Sequence, residues 1–255
     1  MRRFVYLLCI LFVFSCSQPA GEAYDLQLLL KKGEQFDLTV SNTVKTEDES
    51  VDYESRLLFT VDSVSADKSK YLLTLKVDYI QLESKGMFGD KVKYHSNRSS
   101  SSMNEQQQLM HQAFKPVLDS SLQISIDKYG RLVKPYAYKS NIRLPKGTDP
   151  VDIQVCFLPL AGKPVAVGEE WQSERTNEVT GGKVHSTYSI TNIKNEVVRI
   201  SYNGIVKGVP GYGKDSEVYG YYQLNKSTGK VEMADMEMEV STRFGGEGKM
   251  RMLVH

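Results

Sequence analysis

Residues 157–171 read FLPLAGKPVAVGEEW, a run rich in Pro and Gly that ends on the one tryptophan of the chain, Trp171. Its last four residues, Gly168-Glu169-Glu170-Trp171, echo Gly33-Glu34-Gln35-Phe36, 135 positions earlier. The same offset relates Asn42 to Asn177 and Val44 to Val179. Each half also carries a hairpin of one pattern. The first has Ile126-Asp127-Lys128 before Gly130-Arg131-Leu132, and the second has Leu224-Asn225-Lys226 before Gly229-Lys230-Val231. Residues 157–171 are therefore the seam between a first half, 24–156, and a second half, 172–255. Self-similarity of this kind points to duplication of one antiparallel unit. The alternative is that β-meanders share turn chemistry without common descent.

On both sides of the seam the chain alternates with period two. Phe36, Leu38 and Val40 oppose Asp37, Thr39 and Ser41, the pattern of a half-buried strand. Further strands are expected at 57–64, at 71–82 with Leu73, Leu75, Val77 and Tyr79 on one face, and at 91–95. Polar turns fall at 46–50 and 65–69. Residues 122–127 and 131–138 flank the hairpin turn Lys128-Tyr129-Gly130, and 151–158 forms a short apolar strand. Past Trp171 come Tyr188, Ile190 and Ile193, a turn at Lys194-Asn195, then Val198, Ile200 and Tyr202. A glycine-rich loop is expected over 204–213. Strands follow at 218–224, 231–244 and 250–254, joined by turns at 225–229 and Gly245-Gly246.

One segment departs from this pattern. Ser102-Met103-Asn104-Glu105 fits a capping box, and Met103, Met110, Phe114 and Val117 then fall on one helical face. Pro116 should end or bend that helix. The fold class is mainly β. Antiparallel meanders from two related halves form an incomplete barrel or paired sheets, with one amphipathic helix at about 102–118.

The amino end is a leader. Arg2 and Arg3 precede the uncharged apolar run 4–14, which is too short to span a bilayer as a helix of ~20 residues. The ending Val13-Phe14-Ser15-Cys16 resembles the lipobox of bacterial lipoproteins. The resemblance implies a signal peptide over 1–15 and acyl chains, including palmitate, on Cys16. The alternative is cleavage near Ala20-Gly21-Glu22-Ala23, with Cys16 discarded. Several acyl chains on one cysteine give near-permanent anchoring, at ~0.8 kcal/mol per buried methylene. Residues 16–23 are small and polar and read as a tether. By the sorting rule of that family, Ser17 implies the outer membrane. The short acidic content here, Glu22 and Asp25, favours the periplasmic face over the cell surface.

Composition sets further bounds. Lys and Arg number 32 against 31 Asp and Glu, and loss of Arg2 and Arg3 with the leader leaves the body near neutral. Nothing in that balance recruits nucleic acid. Of the three cysteines, Cys9 goes with the leader, Cys16 takes lipid, and Cys156 lies in the apolar run Val155-Cys156-Phe157-Leu158 as a small buried hydrophobe.

The layout resembles a family of uncharacterised Gram-negative lipoproteins, a domain of unknown function. The resemblance runs through Leu29-Leu30-Lys31-Lys32-Gly33-Glu34, Leu158-Pro159, Lys163-Pro164-Val165, Val167-Gly168-Glu169-Glu170-Trp171 and Thr228-Gly229. These are structural residues, so the resemblance implies no active site. The many-stranded plan with a covering helix is also similar to LolA-like lipoprotein carriers. That likeness implies an incomplete barrel whose apolar hollow holds acyl chains.

Catalytic signals are absent from the sequence. His95, His111, His185 and His255 have no second ligand at metal spacing, and no Gly-x-Ser-x-Gly elbow occurs. Gly211-Tyr212-Gly213-Lys214 lacks the spacing of a phosphate loop. Glu237 and Glu239 alternate with Met236, Met238 and Val240, as on a solvated face opposite an apolar one. The protein is expected to be non-enzymatic, without metal or cofactor.

Methionine carries the functional expectation. Met236, Met238 and Val240 share one face of a strand, and Met250 and Met252 one face of the next. Methionine adapts to varied apolar partners. With Trp171 these residues form the wall of a pocket for a lipid or other hydrophobic ligand, or else they fill gaps in an ordinary core. A second function class is an envelope interaction module that docks a protein or glycan through Tyr212, Tyr219 and Tyr221. Cells fed labelled palmitate should label Cys16, and a Cys16→Ala variant should leave the membrane fraction. A variant that stays membrane-bound would remove the anchor.

Overall fold

The computed structural model describes residues 22–47, 50–86, 89–133, 137–138, 153–176, 182–207, 215–241 and 247–255. The expected leader with Cys16, most of the expected tether, Asn177, Val179, residues 208–214 and the turn expected at Gly245-Gly246 lie outside them.

The first half runs β1 (Ala23–Tyr24), β2 (Gln35–Thr46), β3 (Ser50–Val64), β4 (Lys70–Gly86), β5 (Gly89–His95), α1 (Glu105–Leu118), β6 (Ser121–Asp127) and β7 (Ala137–Tyr138). The second runs β8 (Val165–Ala166), β9 (Glu170–Thr176), β10 (Lys183–Lys194), β11 (Val197–Lys207), β12 (Ser216–Asn225), β13 (Val231–Ser241) and β14 (Glu247–Val254). Twelve of these strands make one antiparallel sheet in the order β7-β6-β4-β3-β2-β14-β13-β12-β11-β10-β9, with β5 on the far part of β4. Among the described residues the fold is mainly β with one α-helix, and the sheet is not closed into a barrel. Each half is a meander, and β14 against β2 joins them. One buried cluster collects side chains from β2 through β14, so both halves enclose a common core.

That core is closed at one end by the chain crossing the strand ends. Leu28 N donates to Lys128 O (2.7 Å), Leu29 N to Thr228 O (2.8 Å) and Leu160 N to Tyr129 O (2.9 Å). β1 and β8 pair with each other over the same end. Leu26, Leu28, Leu30, Phe157, Leu158 and Leu160 are buried there. Each contributes about 1.5–3 kcal/mol on burial. The cavity left between them is about 10 Å³, no more than one water's room. Gly130 and Gly229 sit at the crossings with φ of 72° and 66°. A Cβ on either would run into the Leu158 or the Gln27 carbonyl.

The echo across the seam is one turn built twice. Gly33 and Gly168 have φ of 78° and 85° and donate to Val61 O and Ile190 O, each at 2.8 Å. Glu34 N donates to Lys31 O and Glu169 N to Ala166 O, each at 3.0 Å. The carboxylates return the bond: Lys31 N donates to Glu34 (2.8 Å) and Ala166 N to Glu169 (3.1 Å). Phe36 then stacks on Phe59 at 4.9 Å and Trp171 on Tyr188 at 5.5 Å, each its direct cross-strand partner. Phe36 is only partly buried, whereas Trp171 is 7% exposed and its Nε1 donates to Pro159 O at 2.9 Å.

Several sequence expectations change. The helix cap is Asn104 with Gln107, bonded reciprocally at 2.9 and 3.0 Å, not Ser102 with Glu105. Ser102 instead donates to Ser99 O within a 3₁₀ turn. The apolar run at 151–158 is not a strand. Its described part is a 3₁₀ turn, Ile153–Cys156, leading into the buried crossing segment. Of the strand expected at 131–138, the described residues pair β6 through the Ile126–Leu132 bridge, the Val133 N–Ser125 O bond (2.8 Å) and β7, and residues 134–136 lie outside them. β11 continues to Lys207, so Gly204 lies inside a strand, with the Tyr202 hydroxyl leaning over it. Tyr79 does not share the Leu73 face. Leu57 pairs Val77 and Arg56 pairs Tyr79, so Asp78 is an extra residue and the inward side passes to Ile80.

Trp171→Ala should cost about 3–5 kcal/mol, because a buried stacked ring and its hydrogen bond are both lost. Phe36→Ala should cost clearly less, since its ring is partly exposed. Chemical denaturation checks the order, and equal losses would contradict it. The Glu34 carboxylate also bonds Lys230 Nζ at 2.8 Å, tying the first half to the second. Partial burial alone would raise its pKa, but Lys230 and the Lys31 amide outweigh this and hold it below the ordinary 4.5. Its contribution is therefore complete above about 4.5 and fades as pH falls through the lower folded value. Glu34→Gln should lower Tm at pH 7, and the two melting temperatures should converge in acid. A gap that stays constant with pH would show that the charge contributes nothing.

Candidate functional site

Strand pleating places alternate residues of the sheet on the inner, core face. The register there can be followed strand by strand in three rows. Of these three, the row nearest the crossing segments runs Ile190, Ile200, Tyr222, Ala234 and Val254, then Val40, Ser55 and Ile80. All are buried. The middle row runs Trp171, Tyr188, Tyr202, Gly220 and Met236 in the second half. It continues as Met252, Asn42, Tyr53, Leu82 and Tyr94. The far row runs Ser173, Ser186, Gly204, Val218 and Met238, then Met250, Val44, Val51, Ser84 and Val92. None of these residues is Lys, Arg, Asp or Glu.

The predicted methionines come together here. Met236 is the direct partner of Met252, and Met238 of Met250. Met236 is 4% exposed, while Met238, Met250 and Met252 are half-buried. Val240 pairs Gly248 through its backbone, and its side chain is outside the described ones. Trp171 stands in the row of Met236 and Met252, with three strands between β9 and β13. Between them runs an aromatic ladder: Trp171–Tyr188 (5.5 Å), Tyr188–Tyr202 (5.3 Å) and Tyr202–Tyr222 (6.0 Å). The Tyr222 hydroxyl then donates to Met236 Sδ at 3.5 Å. At Gly220 the backbone of β13 comes so close that a Cβ would run into the Asp235 carbonyl. Burial pushes the Tyr188 phenol up to about 12, so that ring stays neutral. Trp171 thus anchors one end of the inner face, and the methionines form its centre.

The wall extends past the predicted set. Met250 faces Val44, Val44 faces Val51, and Val218 faces Met238, all half-buried. Beyond them α1 lays Met110 and Phe114 on Ile80, Tyr94 and Met103, with Tyr53 and Leu82 at the rim. The Tyr94 hydroxyl meets His111 Nδ1 at 3.1 Å, and burial pushes its pKa up to about 12. A space of about 300 Å³ adjoins Met103, Gln108 and His111. A groove of about 670 Å³ crosses the second half at Ser173, Ser186, Gly204 and Val218 and the residues on either side of them.

No protein-family model matches the chain, and no curated protein matches it. A solved structure described as "Lipid-protein interactions in lipovitellin" resembles it with a TM-score of 0.49 at 9% identity. The match covers 89% of this chain and 25% of that one, so the chain spans about a quarter of that protein's length.

The other candidates are dispersed. Tyr219 and Tyr221 lie on the outer face. The Tyr219 hydroxyl donates to Glu237 at 3.0 Å, and Arg199 covers the Tyr221 ring at 3.9 Å. Tyr212 and the rest of 211–214 are outside the described residues. His185 Nδ1 lies 3.2 Å from Glu174, exposed beside the 670 Å³ groove, and His95 stacks on Tyr79. Among the described residues no cluster of His, Cys, Asp and Glu is grouped to hold a metal ion. No described helix is long and apolar enough to cross a membrane.

Proposed function

We propose that the protein is a non-enzymatic lipoprotein, anchored at the outer membrane through Cys16 and facing the periplasm. It binds or carries a lipid or other hydrophobic ligand on the inner face of its sheet. The observation that carries the binding half is the paired methionine wall. Met236–Met252 and Met238–Met250 continue into Val44 and Val51 without a charge, and much of that apolar surface is only half-buried. Flexible thioethers suit a surface that must fit chains of varied shape. The anchoring half rests on the leader and on Val13-Phe14-Ser15-Cys16. The outer-face tyrosines offer less to a docking partner, because Glu237 and Arg199 already engage them.

Native mass spectrometry of the protein released from detergent should show a co-purified lipid-sized mass. Met238→Asp with Met250→Asp should abolish that mass while leaving the cooperative melting transition in place, because both side chains are half-buried. A parent protein that is empty, and stays empty when offered fatty acid, phospholipid and acylglycerol, would overturn the binding half.

A further inference from the structure

The inner face is not uniformly apolar. Asn42 Oδ1, Ser55 Oγ and Ser84 Oγ are buried with no hydrogen-bond partner. Ser55 and Ser84 are 0% and 1% exposed. The two other buried serines on this side of the chain's chemistry are satisfied: Ser96 accepts from Ile80 N at 2.9 Å, and Ser186 donates to Tyr202 at 3.4 Å. Two of the three, on β2 and β3, are neighbours beside the methionine wall, while Ser84 lies on β4, four residues along from the Ile80 that pairs Ser55. Asn42 lies between Met252 and Tyr53 in the middle row. Ser55 is its diagonal neighbour across the strand pair, a separation of about 7–8 Å. Ser84 faces Val51 and Val92 in the far row. Buried polar atoms in native proteins almost always find a partner, and an orphan calls for a water or a ligand.

The geometry points to a headgroup site: Asn42 and Ser55 receive the uncharged, hydroxyl-bearing head of an amphiphile whose chain lies along Met252, Met250 and Met238. This deepens the lipid reading and rests on it. The polarity of the head follows from the atoms that wait for it. Asn42 Oδ1 only accepts, and a serine hydroxyl both accepts and donates, so the head must supply O–H or N–H groups. Its neutrality follows from the surroundings. The three inner rows hold no Lys or Arg. Arg175, the next inward residue on β9, belongs to the far edge of the sheet, with five strands between β9 and β2. From α1, Met110 and Phe114 pack against this side of the sheet, and His111 is engaged by the Tyr94 hydroxyl on β5, three strands away from β2. A phosphate or carboxylate seated here would be desolvated with no Lys or Arg beside it in the described rows. A glycerol-type head fits both conditions.

The test uses the full-length acylated protein in detergent, with a monoacylglycerol, the fatty acid of the same chain and the alkane of the same length as competing probes. The parent should bind the monoacylglycerol about tenfold or more tighter than the fatty acid at pH 7, a difference titration resolves. Asn42→Leu combined with Ser55→Ala should erase that preference, to within about twofold, and leave alkane binding unchanged. The same variant should melt at or above the parent's temperature, since it removes polar atoms that have no partner. Equal affinity of the parent for the two heads, or tighter binding of the fatty acid, overturns the headgroup site alone. A variant that loses Tm while keeping the preference shows the oxygens held by ordered water only, which also overturns it. A parent that binds none of the three probes overturns the lipid reading, and the headgroup site with it.

Discussion

The structure depends on its chain crossing the end of its own sheet. An unclosed sheet of this length has a core face that water would enter from the strand ends. The segments before β2 and before β9 prevent this by running across the hairpins at 127–131 and 225–230. The contacts are backbone to backbone, so they meet the hydrogen-bonding need of irregular chain that is buried. They also explain why glycine stands at positions 130 and 229, where the carbonyls of Leu158 and Gln27 occupy the space of a side chain. The twin turns at Gly33 and Gly168 then set the angle at which each crossing segment enters its strand.

Packing thins along the strands away from this end. The first inner row is fully buried, the second is largely aromatic, and the third carries half-buried Met and Val. Stability and binding are thereby assigned to different parts of the same strands. β13 shows both: Val231 and Ala234 belong to the closed core, whereas Met238 lies seven and four residues on in the looser part. A substitution at Ala234 and one at Met238 act on different properties although they share a strand.

Much of this was legible in the sequence because the signals are local. Alternation located most strands, and the Gly-Glu echo marked two turns that share three hydrogen bonds. The failures are physical too. The runs Ser102–Glu105 and Asn104–Gln107 both offer a cap, and local sequence does not decide between them. A bulge such as that at Asp78 adds one residue without a sequence signal of its own, yet turns every later side chain over. An apolar run such as 151–158 fits a strand and a buried coil equally. Of the inner face, the Met236–Met252 and Met238–Met250 pairs follow from a hairpin and were readable. Their continuation into Asn42, Val44 and Val51 was not, because it needs the pairing of β14 with β2, residues from opposite ends of the chain.

That pairing has a consequence for how the molecule comes into being. Thr39 and His255 exchange two backbone hydrogen bonds, and Val40 faces Val254 at the middle of the sheet. A ribosome makes β2 early and β14 after every other strand named here. Throughout that interval β2 is an unpaired edge, and the rows stop short on either side of it. Non-local pairing of this kind is slow, and an exposed edge is open to wrong partners. The centre of the sheet is therefore its last part to be assembled, and each half must wait, incomplete, for the other.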